Sequence, residues 1–168
     1  ELYLRSYRLG LVYANSPYAN HTVGSSMAVN AHDYAKLGGM NRKQAGEDFY
    51  FLQKFMGTGR FKAINDTCVR PSARISSRVP FGTGAAVGKT LQSGTEVSFY
   101  DCRVYDDLRQ FYGLANHWSS SYAQLEAQLP DALRGFLNTH AFAKRLLEIK
   151  RNAASTAAIA QHVNAWMN

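Results

Sequence analysis

Gly38-Gly39-Met40-Asn41-Arg42-Lys43-Gln44-Ala45-Gly46-Glu47-Asp48-Phe49 is the stretch around which the rest of the chain is read. Two glycines interrupt an amphipathic segment, a polar and basic loop follows, and Gly46 releases the chain into an acidic pair. An apolar run comes next, Phe49-Tyr50-Phe51-Leu52-Gln53-Lys54-Phe55-Met56, stopped by Gly57 and Gly59. Phe49, Leu52, Phe55 and Met56 recur at helical spacing, so residues 49–56 read as a short helix with that face in a core. Glu47 and Asp48 then fall in its first turn, where unpaired N–H groups and the helix dipole favour ionised carboxylates. A carboxylate held there, beside a glycine-bounded loop, suits a general base. An ordinary acidic helix N-terminus carries the same residues.

Upstream, residues 1–14 place Leu2, Tyr3, Tyr7, Leu9, Val12 and Tyr13 among Arg5 and Arg8, an amphipathic helix closed by Asn15-Ser16-Pro17. Residues 23–29 are small and apolar enough for a buried strand, and Asn30 reads as the N-cap of a helix over 31–37. Downstream, residues 61–69 alternate as a strand, which Arg70-Pro71-Ser72 closes. Residues 73–94 are Gly- and Arg-rich with little periodicity and read as a long ordered loop, a length that tends to go with function. Residues 95–100 read as a further strand. Beyond 101 the period is helical: Val104, Leu108, Phe111 and Tyr112 form one stripe, and Leu125, Leu129, Leu133, Phe136 and Leu137 another, broken at Pro130. Thr139 reads as the N-cap for Phe142, Leu146, Leu147 and Ile149, and Ile159, Val163 and Trp166 mark the last helix. The expected class is therefore α/β over residues 1–100 followed by a helical extension over 101–168.

With 168 residues, 46% hydrophobic and 18% charged, the chain has the makeup of a globular protein and can bury one core. A net charge of +7 suits an anionic partner without choosing among nucleotide diphosphate, nucleic acid and an anionic membrane face. Cys68 and Cys102 are the only cysteines and form no CxxC, so they read as buried thiols in a reducing compartment. No apolar run approaches the ~20 residues that span a bilayer. The chain opens without Met inside a helical pattern, which reads as a piece of something longer.

Two further patterns carry charge chemistry. Arg70, Arg74 and Arg78 recur every fourth residue in a segment read as loop, where planar guanidiniums are able to converge on a pyrophosphate. Gly82-Thr83-Gly84-Ala85-Ala86-Val87-Gly88-Lys89-Thr90 nearly spells a phosphate-binding loop. It misses the required spacing from either glycine, and no hydrophobic strand leads into it.

The ordered set of small-residue strand, short helix, Gly-Gly, polar loop, Gly-Glu-Asp-aromatic and helix resembles the acceptor-side half of family 2 glycosyltransferases, which have the GT-A fold. The match runs from about 23 to 71 and looks most like bacterial members carrying Ala-Gly-Glu-Asp-Phe-Tyr-Phe-Leu and Arg-Val-Pro-Phe-Gly-Thr-Gly, here residues 45–52 and 78–84. The resemblance implies part of a GT-A sheet in residues 1–100. It also implies inverting transfer of a sugar from a nucleotide-sugar donor to the hydroxyl of a glycan or lipid-linked acceptor, in surface glycan or polysaccharide synthesis. Asp48, or failing that Glu47, would be the base. Arg78 and Arg74, with Gly82 and Gly84, would belong to the loop over the donor diphosphate, and His21, Ser25, Ser26 and Arg42 would face the acceptor.

Two departures limit what is carried over. The sequence has no Gln-x-x-Arg-Trp, so processive synthesis is not expected. It also has no Asp-x-Asp, so the Mg2+ or Mn2+ site and base recognition are expected upstream, in a missing amino-terminal half, and no metal is expected in these residues. A sheet edge left bare by that missing half is expected to drive self-association through residues 1–30. The implied location is cytoplasmic, at the inner face of the membrane. The competing readings are a non-catalytic helical binding module with an α/β cap and a basic nucleic-acid-binding domain.

Overall fold

The computed structural model describes residues 2–20, 26–42, 46–70, 75, 83–94 and 98–167. Helices take 61% of the described residues and strands none. In chain order they are α1 (Leu2–Tyr13), α2 (Ala31–Lys36), α3 (Glu47–Met56), α4 (Thr83–Ser93), α5 (Cys102–Gly113), α6 (Tyr122–Glu126), α7 (Asp131–Thr139), α8 (Phe142–Asn152) and α9 (Thr156–Met167).

This overturns the expected α/β class with its partial GT-A sheet. No described residue of the three expected strands is in a strand. In the 61–69 segment Ile64 and Val69 stand 64% and 63% exposed, so its alternation buries no face. Alternation gains stability only against a partner strand and a core, and neither is in place here. The bare sheet edge that motivated self-association through residues 1–30 loses its premise with the sheet. The long loop expected over 73–94 is also corrected, because α4 occupies 83–93. Ala85, Ala86, Val87, Lys89 and Leu91 sustain it despite its glycines. Gly88 sits against Ile75, where an added Cβ would lie 3.2 Å from the Ile75 methyl. Gly88, Lys89 and Thr90 are thus helix interior, not a phosphate loop. Cys68 and Cys102 are both exposed, against the expectation of buried thiols.

The chain divides into two compact units, residues 1–19 with 100–168, and residues 20–99. In the first, the helical stripes close on one core. Phe111 and Tyr112 come from α5, Leu133 and Leu137 from α7, Phe142, Leu146 and Ile149 from α8, and Ile159 and Val163 from α9. Trp118, in the turn after α5, is fully buried among them. Pro130 stands as the N-cap of α7. The corner into α8 is tight: Ala141 is left-handed at φ 51° and caps α8. Thr139 is therefore not the cap that the sequence suggested. It ends α7, and its hydroxyl donates to the Gly135 carbonyl at 2.9 Å.

The start of α5 is fixed by Asp101, whose carboxylate accepts from the Arg103 N–H at 2.9 Å and from the Arg103 guanidinium. That guanidinium, with the backbone N–H, holds the Asp101 carboxyl down at about 2. A depressed folded pKa stabilises α5 above the ordinary carboxylate range, and the gain is lost as pH falls toward about 2. Acid titration followed by amide exchange at Arg103 should therefore show the cap intact at pH ~4 and released only near the bottom of that window. Release well above it would contradict the Arg103 pairing.

α1 packs on α5. The Tyr13 hydroxyl donates to Asp106 Oδ1 at 2.7 Å, and the Arg109 guanidinium lies 4.7 Å above the Tyr13 ring. Gly10 lets the Tyr105 ring pass directly against the α1 backbone.

Candidate functional site

The acidic pair belongs to the second unit, where α2 and α3 meet through Tyr34 and Phe51. Asn30 caps α2, accepting from the His32 N–H at 2.9 Å, as the sequence indicated. Past Leu37 the chain turns through Gly38 and Gly39 at φ 73° and 65°, backbone that glycine adopts without penalty. The Gly39 N–H donates back to the Tyr34 carbonyl at 2.8 Å, and the Met40 N–H donates to the Tyr34 hydroxyl at 3.2 Å. Tyr34 in turn lies against Phe51 of α3, ring centres 5.4 Å apart.

Lys54 locks this turn from the other helix. Its ammonium donates to the Leu37 carbonyl at 3.3 Å, the Gly39 carbonyl at 2.8 Å and Asn41 Oδ1 at 2.8 Å. A cation at the end of α2 also complements the negative end of the helix dipole. Arg60 reaches back to Asp33 at 2.5 Å and ties the chain after α3 to α2. The Gly38–Asn41 turn is consequently braced at several points. Lys54→Met, which keeps most of the stem and removes the donors, should cost about 1–2 kcal/mol of local stability. Faster amide exchange at Gly39 and Met40, with no change at Phe142, would show it.

Glu47 and Asp48 occupy the first turn of α3, half-buried, after Gly46 at φ 73°. Asp48 Oδ1 accepts from the Phe49 N–H at 2.8 Å, which orients the carboxylate toward the helix start. The body of α3 is anchored by Phe51, Leu52, Phe55 and Met56, with the Phe51 and Phe55 rings 5.0 Å apart. Phe49, expected in that core, is 41% exposed, as is Tyr50. Their rings meet edge to face at 5.6 Å and form an aromatic shelf directly following the two carboxylates. The sequence reading missed this shelf. The signal for it lay in the choice of face: 51, 52, 55 and 56 form one apolar arc at helical spacing, with 49 at its edge and 50 on the far side.

Of the other expected site residues, three lie among the described ones. Ser26 is exposed in the segment before α2, and Arg42 is exposed just past the braced turn. Gly84 is in the first turn of α4, not in a glycine loop. His21, Ser25, Arg74, Arg78 and Gly82 lie outside the described residues. Among the described residues no three His, Cys, Asp or Glu side chains gather as metal ligands. Among the described residues no helix is long and apolar enough to cross a membrane.

Compared with known proteins, the chain matches no family model, no curated protein and no solved structure.

Proposed function

We propose that the start of α3 is the acceptor side of a sugar-transfer site, and that the chain forms part of an inverting glycosyltransferase acting in surface glycan or polysaccharide synthesis. The observation that carries the reading is the Glu47–Asp48 pair on a core-anchored helix, followed at once by the outward Phe49–Tyr50 shelf. A pyranose offers a C–H face to aromatic rings and hydroxyl donors to carboxylates, so such a pairing suits a glycan. The reading rests on this helix and on no sheet.

In the reaction, the acceptor oxygen forms its bond to the anomeric carbon as its proton passes to the Asp48 carboxylate. The bond from that carbon to the donor's phosphate oxygen breaks, and its electron pair leaves with the nucleoside diphosphate. General-base assistance of this kind contributes roughly 10²–10⁴-fold. The donor and its metal would be held by residues outside this sequence, which has no Asp-x-Asp.

The acceptor half is testable on the chain itself. NMR titration with an oligosaccharide picked from a glycan array should shift the amides of Gly46, Glu47, Asp48, Phe49 and Tyr50 ahead of all others. In a transfer assay with a protein that also carries the donor site, Asp48→Asn should lower kcat at least about a hundredfold while donor affinity stays within a few-fold. Wild-type turnover by that variant, or glycan shifts confined to other helices, would sink the assignment.

A further inference from the structure

An open cleft of about 330 Å³ lies where α8 meets α9, lined by Arg145, Gln161, His162, Ala165 and Trp166. Its aromatic wall is Trp166, which is half-buried. On the core side the indole packs on Phe142, ring centres 4.7 Å apart, and toward the surface it meets Phe136 at 6.3 Å. Phe136 is itself 45% exposed and extends the wall. The rest of the lining is planar and polar: a guanidinium, an amide and an imidazole. Arg145 Nη1 donates to Glu148 Oε2 at 2.9 Å, with 54% and 43% of the two side chains exposed, so a carboxylate stands beside the cleft as well.

The ion pair decides which ligand chemistry fits. A nucleoside diphosphate would set its charge against the Glu148 carboxylate, with an arginine already engaged by that carboxylate. A purely apolar ligand would lay hydrocarbon over the polar ends of Arg145, Gln161 and His162. A neutral polyhydroxy ligand meets neither obstacle. A guanidinium carries five N–H donors and a carboxylate two acceptor oxygens, so the pair offers both functions after its own bond is made. Each sugar hydroxyl both donates and accepts, which matches that pair and an amide. The C–H face of a pyranose suits an indole. Trp166 packs against the core, so little side-chain freedom is lost when a ring settles on it.

We propose that the α8–α9 cleft is a non-catalytic binding site for a neutral oligosaccharide. One pyranose stacks on Trp166, and its hydroxyls bond Gln161, His162 and the Arg145–Glu148 pair. The cleft belongs to the other compact unit from α3 and stands independently of the sugar-transfer reading. About a dozen ligand atoms in contact at an open surface give a Kd of about 1 mM.

The test is an NMR titration of the full chain with cellotetraose, maltotetraose and chitotetraose. At least one should shift the Trp166 indole and the amides of Gln161 and His162, saturating with a Kd of about 1 mM. The chain has two tryptophans, and the fully buried Trp118 indole should stay in place as the internal control. Gln161→Ala, at an exposed position, should weaken binding about two- to tenfold, the loss of one hydrogen bond to the ligand. Trp166→Leu should weaken it at least about tenfold. Circular dichroism checks that both variants fold, and Gln161→Ala decides if Trp166→Leu does not. No shift at these residues with any of the three sugars overturns the proposal. So does a response of the same signals to uridine diphosphate with none to the sugars, which would assign the cleft to a nucleotide. Shifts at residues 46–50 alone overturn this site and leave the one on α3 standing, and shifts at α8 and α9 alone do the reverse.

Discussion

Phe142→Ala is expected to destabilise the helical unit by about 3–5 kcal/mol, the range for removing a large aromatic from a core that closes only partly around the gap. Phe142 is fully buried and opens α8 immediately after the left-handed corner at Ala141, so its backbone has little freedom to follow a collapsing cavity. Its ring centre is 4.7 Å from Trp166, 5.3 Å from Trp118, 5.6 Å from Tyr122 and 6.0 Å from Phe111. The two tryptophans, from the turn after α5 and from α9, meet through this one ring. Aromatic pairs each add about 0.5–1.5 kcal/mol beyond burial, and because they share a ring their losses overlap instead of summing. Against a typical total of about 5–15 kcal/mol, the variant should be largely unfolded at elevated temperature. Urea melts read by tryptophan fluorescence give the loss directly. Leu147→Ala, on the same helix but 57% exposed, should change stability by less than about 0.5 kcal/mol. Similar midpoints for the two variants would mean that the aromatic cluster is not the centre of this core.

That contrast marks where the sequence is legible. Stripes at 108–112, 125–137, 142–149 and 159–166 place the later helices closely, because a 3.6-residue period is local and a core-facing stripe leaves a strong trace. Pro130 divides α6 from α7 as read. Helices α2 and α3 are also visible in advance, since Asn30, the two glycines and the acidic start of α3 are each local signals. What fails is non-local. Residues 61–69 alternate, yet alternation becomes a strand only when another strand pairs with it, and the sequence of one segment does not report that. Residues 83–93 were misread for the opposite reason: two internal glycines suggested loop, while the alanines, lysine and leucine between them sustain α4. Phe49 shows the smallest error with the largest consequence for function. The sequence reading takes 49, 52, 55 and 56 as the core face, whereas the buried arc is 51, 52, 55 and 56, which leaves Phe49 at its edge beside Glu47 and Asp48.

Gly10 of α1 leaves no trace in the helical period, yet the Tyr105 ring packs directly on it. A glycine inside a helix ordinarily costs about 0.5–1 kcal/mol relative to alanine, so replacing one usually stabilises. At Gly135 in α7 an added Cβ meets nothing within 4 Å, and Gly135→Ala should raise stability by about that amount. At Gly10 the sign reverses. An added Cβ would lie 2.2 Å from Tyr105 Cζ and 2.3 and 2.5 Å from its two Cε atoms, inside any permitted contact. Either α1 lifts off α5 or the Tyr105 ring, now only 8% exposed, swings into water. Losing the burial of a large side chain costs roughly 2–3 kcal/mol, and the propensity gain offsets about 1 of that at most. Gly10→Val adds bulk and branching at the same point and should cost more, about 3 kcal/mol or above. The decisive measurement is a double-mutant cycle. With Tyr105→Ala already in place the clash is gone, so Gly10→Ala should become neutral or stabilising, a coupling of about 2–3 kcal/mol. Additive losses in the cycle would show that α1 and α5 do not meet at Gly10.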